Sequence, residues 1–206
     1  MKYNVIAIER EYASGGQEIG RRTAEALGIP CYGREILEIA AQRGGRSPEY
    51  LEQLEETATN SLLYSFYRLS QQAAQGNMLS NEDALYLAEW KIIQELADQG
   101  PAVFVGRCAS YVLKRRPDLL SVFVRAGVDF RVERAVREYG VERERAEWTL
   151  RRQDKRRASY YSSNTGARWD DPRNYHLMLD SSRLGIDRCV SVLCAAAAPG
   201  SPGRTK

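Results

Sequence analysis

The sequence predicts a layered α/β fold with a mainly parallel sheet, and two observations predict it. Five short apolar runs have the length of buried strands: Val5 to Ile8, Ile29 to Tyr32, Ala102 to Val105, Ser121 to Val124 and His176 to Asp180. Segments of helical periodicity separate them, and that alternation calls for crossover connections and so for parallel pairing.

The elements follow in order. After Val5 to Ile8 the chain breaks into a small-residue turn, Ala13-Ser14-Gly15-Gly16. A helix follows with Ile19, Thr23 and Leu27 on one face, ended by Gly28 and Pro30. Glu35 to Arg43 is predicted helical with Ile36, Leu37, Ala40 and Ala41 inward, and Gly44-Gly45 stops it. Ser47-Pro48 signals another helix start. Leu62 to Leu69 forms an apolar cluster suited to a core or a dimer seam, and Gly76 to Asn81 reads as a mobile loop. Asp83 to Gln99 is predicted as a helix with Leu85, Ala88, Ile92 and Leu96 sharing a face. Past Ala102 to Val105 come Gly106-Arg107-Cys108 and a helix through Leu113. Asp129 is expected to cap a helix to Tyr139, and an Arg-rich helix spans Glu142 to Tyr160. Ser162 to Asn174 reads as a polar connection, Ile186 to Ala197 as the last helix, and the Gly/Pro/Ser-rich tail from Pro199 as disordered.

Composition narrows the class. Hydrophobic content of 43% and charged content of 28% over 206 residues are those of a globular domain with a sizeable core. There is no run of ~18 apolar residues to span a membrane, and a strand from Val5 leaves no room for a signal peptide. Four cysteines without C-x-x-C spacing and one histidine argue against a zinc site and for buried free thiols in a reducing cytosol. A cytoplasmic protein is the expectation. Residues 131–157 hold nine arginines and one lysine against six acids. For Arg131 to Arg145 the interleaved acids read as a solvated helix face, which disfavours nucleic acid as a partner.

The chemistry concentrates in the first turn. A strand, a glycine turn and a helix N-terminus make an anion site, because the first helical turn has N–H groups without partners. The same Gly15-Gly16 pair would also serve a plain tight βα connection. Against the GxxxxGK[ST] pattern, with Gly15 at the second glycine, Arg10 stands at the first and Gly16 at the lysine. Glu18 falls at the hydroxyl position of the nucleotide-kinase version. The backbone cradle of Ser14, Gly15, Gly16 and Gln17 survives, while the lysine and the Mg²⁺ hydroxyl do not. Arg10 is either a substitute cation or a partner of Glu18. Arg107, at a strand end, is either an acceptor-phosphate contact or half of a buried ion pair. Asp154 is suited to fixing an arginine cluster, and Asp170-Asp171-Pro172 reads as a turn. His176 is suited to packing at a strand edge, and Trp169 to the mouth of the site.

With these residues in place the chain resembles the cytidylate kinase-like family of P-loop proteins. The segments IEREYASGGQEIG, IPCYGREIL, VFVGRCASYVL, RRQDKRRASYY and NYHLMLDSSRLGID carry the likeness, over about residues 4 to 195. It implies a three-layer P-loop kinase-like fold, one domain over residues 1–198, with a helical insertion (45–99) and an Arg-rich lid (140–174). It also implies ATP and Mg²⁺ as donor and cofactor, and a small-molecule nucleotide substrate. Gly106, Arg107, Arg152, Asp154, Arg156, Arg157 and Leu179 to Ser182 match the family's pattern. Gly16 replaces its lysine, Gly33 an aspartate of the monophosphate site, and Cys108 the acid of a Gly-Arg-Asp turn. This is therefore a divergent branch, and cytidine specificity is not carried over. The resemblance implies phosphate neutralisation by Arg152, Arg156 and Arg157, which Arg10 would join as the loop's substitute cation, and acceptor binding by Arg107. The expectation is a phosphotransferase acting on a nucleoside monophosphate or similar small acceptor. The alternative is a catalytically silent nucleotide- or phosphate-sensing module that dimerises through Leu62 to Leu69.

Overall fold

A computed structural model of the chain describes residues 2–44 and 81–198, with side chains from residue 85 onward in the second stretch. Ser47-Pro48, the Leu62 to Leu69 seam, most of the expected mobile loop and the C-terminal tail lie outside the described residues.

Five strands form one sheet, β1 (Val5–Arg10), β2 (Cys31–Tyr32), β3 (Ala102–Val105), β4 (Leu119–Arg125) and β5 (Leu177–Asp180). Their order is β2-β3-β1-β4-β5 and every pairing is parallel. β1 is central, with Ile8 opposite Val105 on one side and Val122 on the other. The helices are α1 (Gly16–Leu27), α2 (Glu35–Gly44), α3 (Asn81–Gln99), α4 (Ala109–Val112), α5 (Val128–Tyr139), α6 (Arg143–Thr165), α7 (Ser181–Leu184) and α8 (Ile186–Ala197).

Strand alternation sorts the core into two faces. Val5, Ala7 and Phe104 point one way and pack with Ile36, Leu37, Ile92 and Ile93 of α2 and α3. Ile6, Ile8, Val122 and Val124 point the other way and pack with Ile19 of α1 and Leu193 of α8. The result is a helix–sheet–helix sandwich. A smaller aromatic cluster of Phe123, Tyr161, Trp169 and Tyr175 sits where the C-terminal half of α6 meets the sheet.

Several local expectations shift. The buried stripe of α3 is Leu85, Glu89, Ile92, Ile93 and Ala97, so a carboxylate sits where the apolar face was expected to run on through Ala88. Helix α6 continues through Thr165, taking in Ser162 to Thr165, and ends at Gly166 (φ 69°), whose amide donates to the Ser162 carbonyl. Gly127 rather than Asp129 precedes α5, and Asp129 lies in its first turn. Arg131 and Arg134 are buried, against the expectation of a solvated face. Arg137, Arg143 and Arg145 keep to it, each exposed and paired with a glutamate.

Candidate functional site

The carboxyl ends of β1, β3 and β4 face one edge of the sheet, the place where open α/β sheets bind ligands. Backbone strain gathers there too. The non-glycine residues with positive φ among those described are Ala13 (58°), Arg107 (59°) and Cys108 (55°), all in the loops after β1 and β3. Such conformations cost on the order of 1–3 kcal/mol each and persist where the surroundings enforce them.

The loop after β1 runs from Glu11 to Gly15. Ser14 closes it, donating from its amide (3.3 Å) and its hydroxyl (2.9 Å) to the Glu11 carbonyl. Its hydroxyl is therefore a turn group, and its amide is spent. The cradle begins one residue later. Gly15 (φ 83°) leads into α1, and the amides of Gly15, Gly16, Gln17 and Glu18 have no intramolecular acceptor among the described residues. Four converging donors at a helix N-terminus favour an anion. Glu18 is held by Arg134 (2.9 Å) and Arg22 (3.5 Å), so it is not the partner of Arg10.

The loop is clamped from above. Asp154 of α6 accepts from the Tyr12 amide at 2.7 Å and pairs with Arg131 of α5. Arg131 also donates to the Tyr12 carbonyl (2.8 Å) and lies 3.3 Å from Glu11. Glu11 in turn accepts from the Ala126 amide past the end of β4 (2.9 Å). Asp154 therefore anchors an arginine, but Arg131 of α5 rather than the cluster that flanks it in sequence.

Arg10 ends β1. Its side chain crosses from Gly16, where a Cβ would meet its own Cβ at 2.5 Å, to Gly106, where a Cβ would strike its guanidinium. Both glycines make room for it. Arg157 of α6 donates to the Arg10 carbonyl at 3.0 Å and stands 5.5 Å from the Tyr12 ring. Burial, then the neighbouring Arg10 charge, pushes the Arg157 guanidinium down to about 9. Burial likewise lowers Arg10, with Glu9 opposing. Among the described residues no carboxylate lies within salt-bridge distance of either guanidinium.

Beside them opens a pocket of about 180 Å³ whose walls include Glu9, Arg10, Arg107, Arg156, Arg157 and Tyr160. Along α6 its lining residues are Gln153, Arg156, Arg157, Tyr160 and Tyr161, one face of a 3.6-residue helix. Arg152, one turn before Arg156, is exposed and does not line the pocket; its guanidinium stands 5.2 Å from the Trp148 ring. The fold thus gathers Arg10, Arg107, Arg156 and Arg157 and leaves Arg152 outside. Arg107 donates to Glu89 at 2.9 Å while still lining the pocket, so it is both an ion-pair member and a wall residue. Tyr160 holds the other Glu89 oxygen. Burial raises the Glu89 carboxyl to about 7. Trp169 is buried behind the site rather than at its mouth and donates to Glu9 at 3.5 Å. His176 accepts from the Ser121 amide at the other end of β4.

No group of three or more His, Cys, Asp or Glu side chains gathers among the described residues. Glu18 is engaged by two arginines, and Asp170 and Asp171 are paired with Arg168 and Arg173 on the surface. These residues do not fit a protein-held Mg²⁺. No helix among the described residues is long and apolar enough to cross a membrane.

The solved structures share this architecture. A crystal structure of an uncharacterized protein from Eubacterium ventriosum aligns with TM-score 0.69 at 22% identity, covering 94% of this chain and 97% of its own. Shikimate kinase from Bacteroides thetaiotaomicron aligns at 0.54 (14% identity, 92% and 95%), and a gluconokinase from Sinorhizobium meliloti at 0.54 (17%, 94% and 93%). Sheet order, glycine turn and helical cover define a protein of the P-loop kinase fold. A cytidylate kinase from Methanopyrus kandleri is 30% identical over 114 residues, which span 52% of this chain and 59% of that relative. The sequence pattern of the cytidylate kinase-like family matches residues 5–183, and the chain belongs to that family.

Proposed function

We propose that the protein is an ATP-dependent phosphotransferase that passes phosphate to a nucleoside monophosphate or a similar small acceptor. One observation carries this reading. Arg10 and Arg157 bring two guanidiniums together at the edge of the sheet, short of any carboxylate within salt-bridge distance, next to the Gly15–Glu18 amides. Like charges held together in low dielectric are costly, and a bound phosphate is the group that would compensate them.

In this reading the amides of Gly15, Gly16 and Gln17 cradle the donor phosphates. Arg10 and Arg157 neutralise charge on the transferred group in place of the lysine that Gly16 displaces. Arg107 and Arg156 line the acceptor side. Phosphoryl transfer needs positioning and charge neutralisation more than covalent help from the protein, so arginines suffice in kind. Arg152 has no part in it, being exposed against Trp148 and absent from the pocket wall.

A second reading, a silent nucleotide sensor, is favoured by Gly16 and by Glu18 standing where a hydroxyl is expected. The deciding experiment follows transfer of the labelled γ-phosphate of ATP, with Mg²⁺, to a panel of nucleoside monophosphates, with Arg10→Ala and Arg157→Ala as controls. Transfer lost by about 10²-fold or more in both variants supports the kinase. Absence of transfer from protein that ATP still stabilises against heat would leave the sensor.

A further inference from the structure

The pocket beside Arg157 has a floor that phosphate chemistry does not explain. Glu9, next to Arg10 on β1, lines it and is 4% exposed. Its Oε2 receives the long 3.5 Å contact from Trp169, and its Oε1 is buried near the Ser110 hydroxyl, neither of those two atoms having a partner in hydrogen-bond geometry. A buried, unpartnered carboxyl oxygen is a liability that native structures rarely keep without a use. The rim above it is cationic, with Arg107, Arg156 and Arg157.

We propose that Glu9 is the specificity-determining residue of the acceptor site. It hydrogen-bonds an uncharged hydroxyl of a molecule, such as a sugar phosphate, whose phosphate sits on the arginines. This rests on the phosphotransferase reading and adds the chemistry of the acceptor's other end. The groups facing Glu9 are Arg10 on its own strand, Arg157 and Tyr161 from α6, Cys108 after β3, Ser110 of α4, Trp169, and Tyr175 before β5. Burial outweighs the two arginines and raises its carboxyl above the ordinary 4.5. A protonated carboxyl offers a donor and an acceptor together, which suits a hydroxyl. An ammonium group would instead need the ionised form.

The test measures binding of ribose 5-phosphate and of inorganic phosphate to the full chain and to Glu9→Gln and Glu9→Leu, by calorimetry at pH 5.5 and 8. Glu9→Leu should lose on the order of tenfold in affinity for ribose 5-phosphate and none for inorganic phosphate. Glu9→Gln keeps a donor and an acceptor and should hold wild-type affinity. It should also lack the part of the wild-type pH dependence that weakens sugar-phosphate binding as pH rises through the Glu9 pKa. Equal loss of both ligands in Glu9→Leu, or no loss of either, would overturn the proposal while leaving the arginine site standing. Failure of the wild type to bind inorganic phosphate at all would overturn both.

Discussion

The backbone N–H of Tyr12 donates to Oδ1 of Asp154 at 2.7 Å, across 142 residues of chain. A carboxylate from α6 thereby holds a loop amide, and the same carboxylate neutralises Arg131, whose side chain is 7% exposed. Removing it strands a buried cation and a loop donor together. Asp154→Ala is expected to destabilise the fold by about 2–3 kcal/mol, with Glu11 as Arg131's remaining partner softening the loss. Urea denaturation would show it. An unchanged midpoint would mean that the clamp contributes nothing to stability.

How far these contacts were legible depends on the residue. β1, β3 and β4 were readable because buried parallel strands must be continuously apolar. The glycine turn was readable because it combines small residues with a helix start. Arg131 and Arg134 were not, since Arg/Glu interleaving looks the same on a solvated face and on one that clamps a loop. Glu89 was missed for the opposite reason. It sits at i+4 from Leu85 and three before Ile92, in the apolar stripe itself, and an apolar count passes over a single acid. Arg152 could not be set apart from Arg156 by helical period, since residues four apart share a face; only the packed structure shows the pocket wall starting at Gln153 and Arg156.

The Arg10–Arg157 pair gives an unusual expectation for the ligand-free protein. Arg10→Met removes one of two like charges, so stability without ligand should stay level or rise. Phosphate binding should weaken by roughly 10- to 100-fold, the worth of a charge-assisted hydrogen bond. Thermal melts with and without ATP would separate the two effects. A variant that melts lower without ligand and keeps the full ATP shift would show that Arg10 is structural.

Gly106 offers a test of Arg10 without touching it. Its φ is 81°, and a Cβ there would strike the Arg10 guanidinium. Gly106→Ala is expected to cost about 1–2 kcal/mol from the left-handed backbone alone. It should also weaken ATP binding by displacing Arg10 from its place beside the cradle. ATP affinity equal to wild type in a folded Gly106→Ala protein would show that the position of Arg10 is irrelevant to binding.

Glu89 contributes a pH dependence of stability. Its folded-state pKa of about 7 stands above the ordinary 4.5, so the native state binds more protons than the unfolded chain between those values. Its contribution to stability is complete below about pH 4.5 and is lost as pH rises through about 7. Glu89→Gln keeps an acceptor for Arg107 or Tyr160 and has no proton to lose, so its stability should be flatter over this window. Urea midpoints at pH 5 and 7.5 for both proteins measure the difference. If wild type and variant change in parallel, Glu89 stays ionised throughout, and the Arg107 ion pair rather than burial governs it.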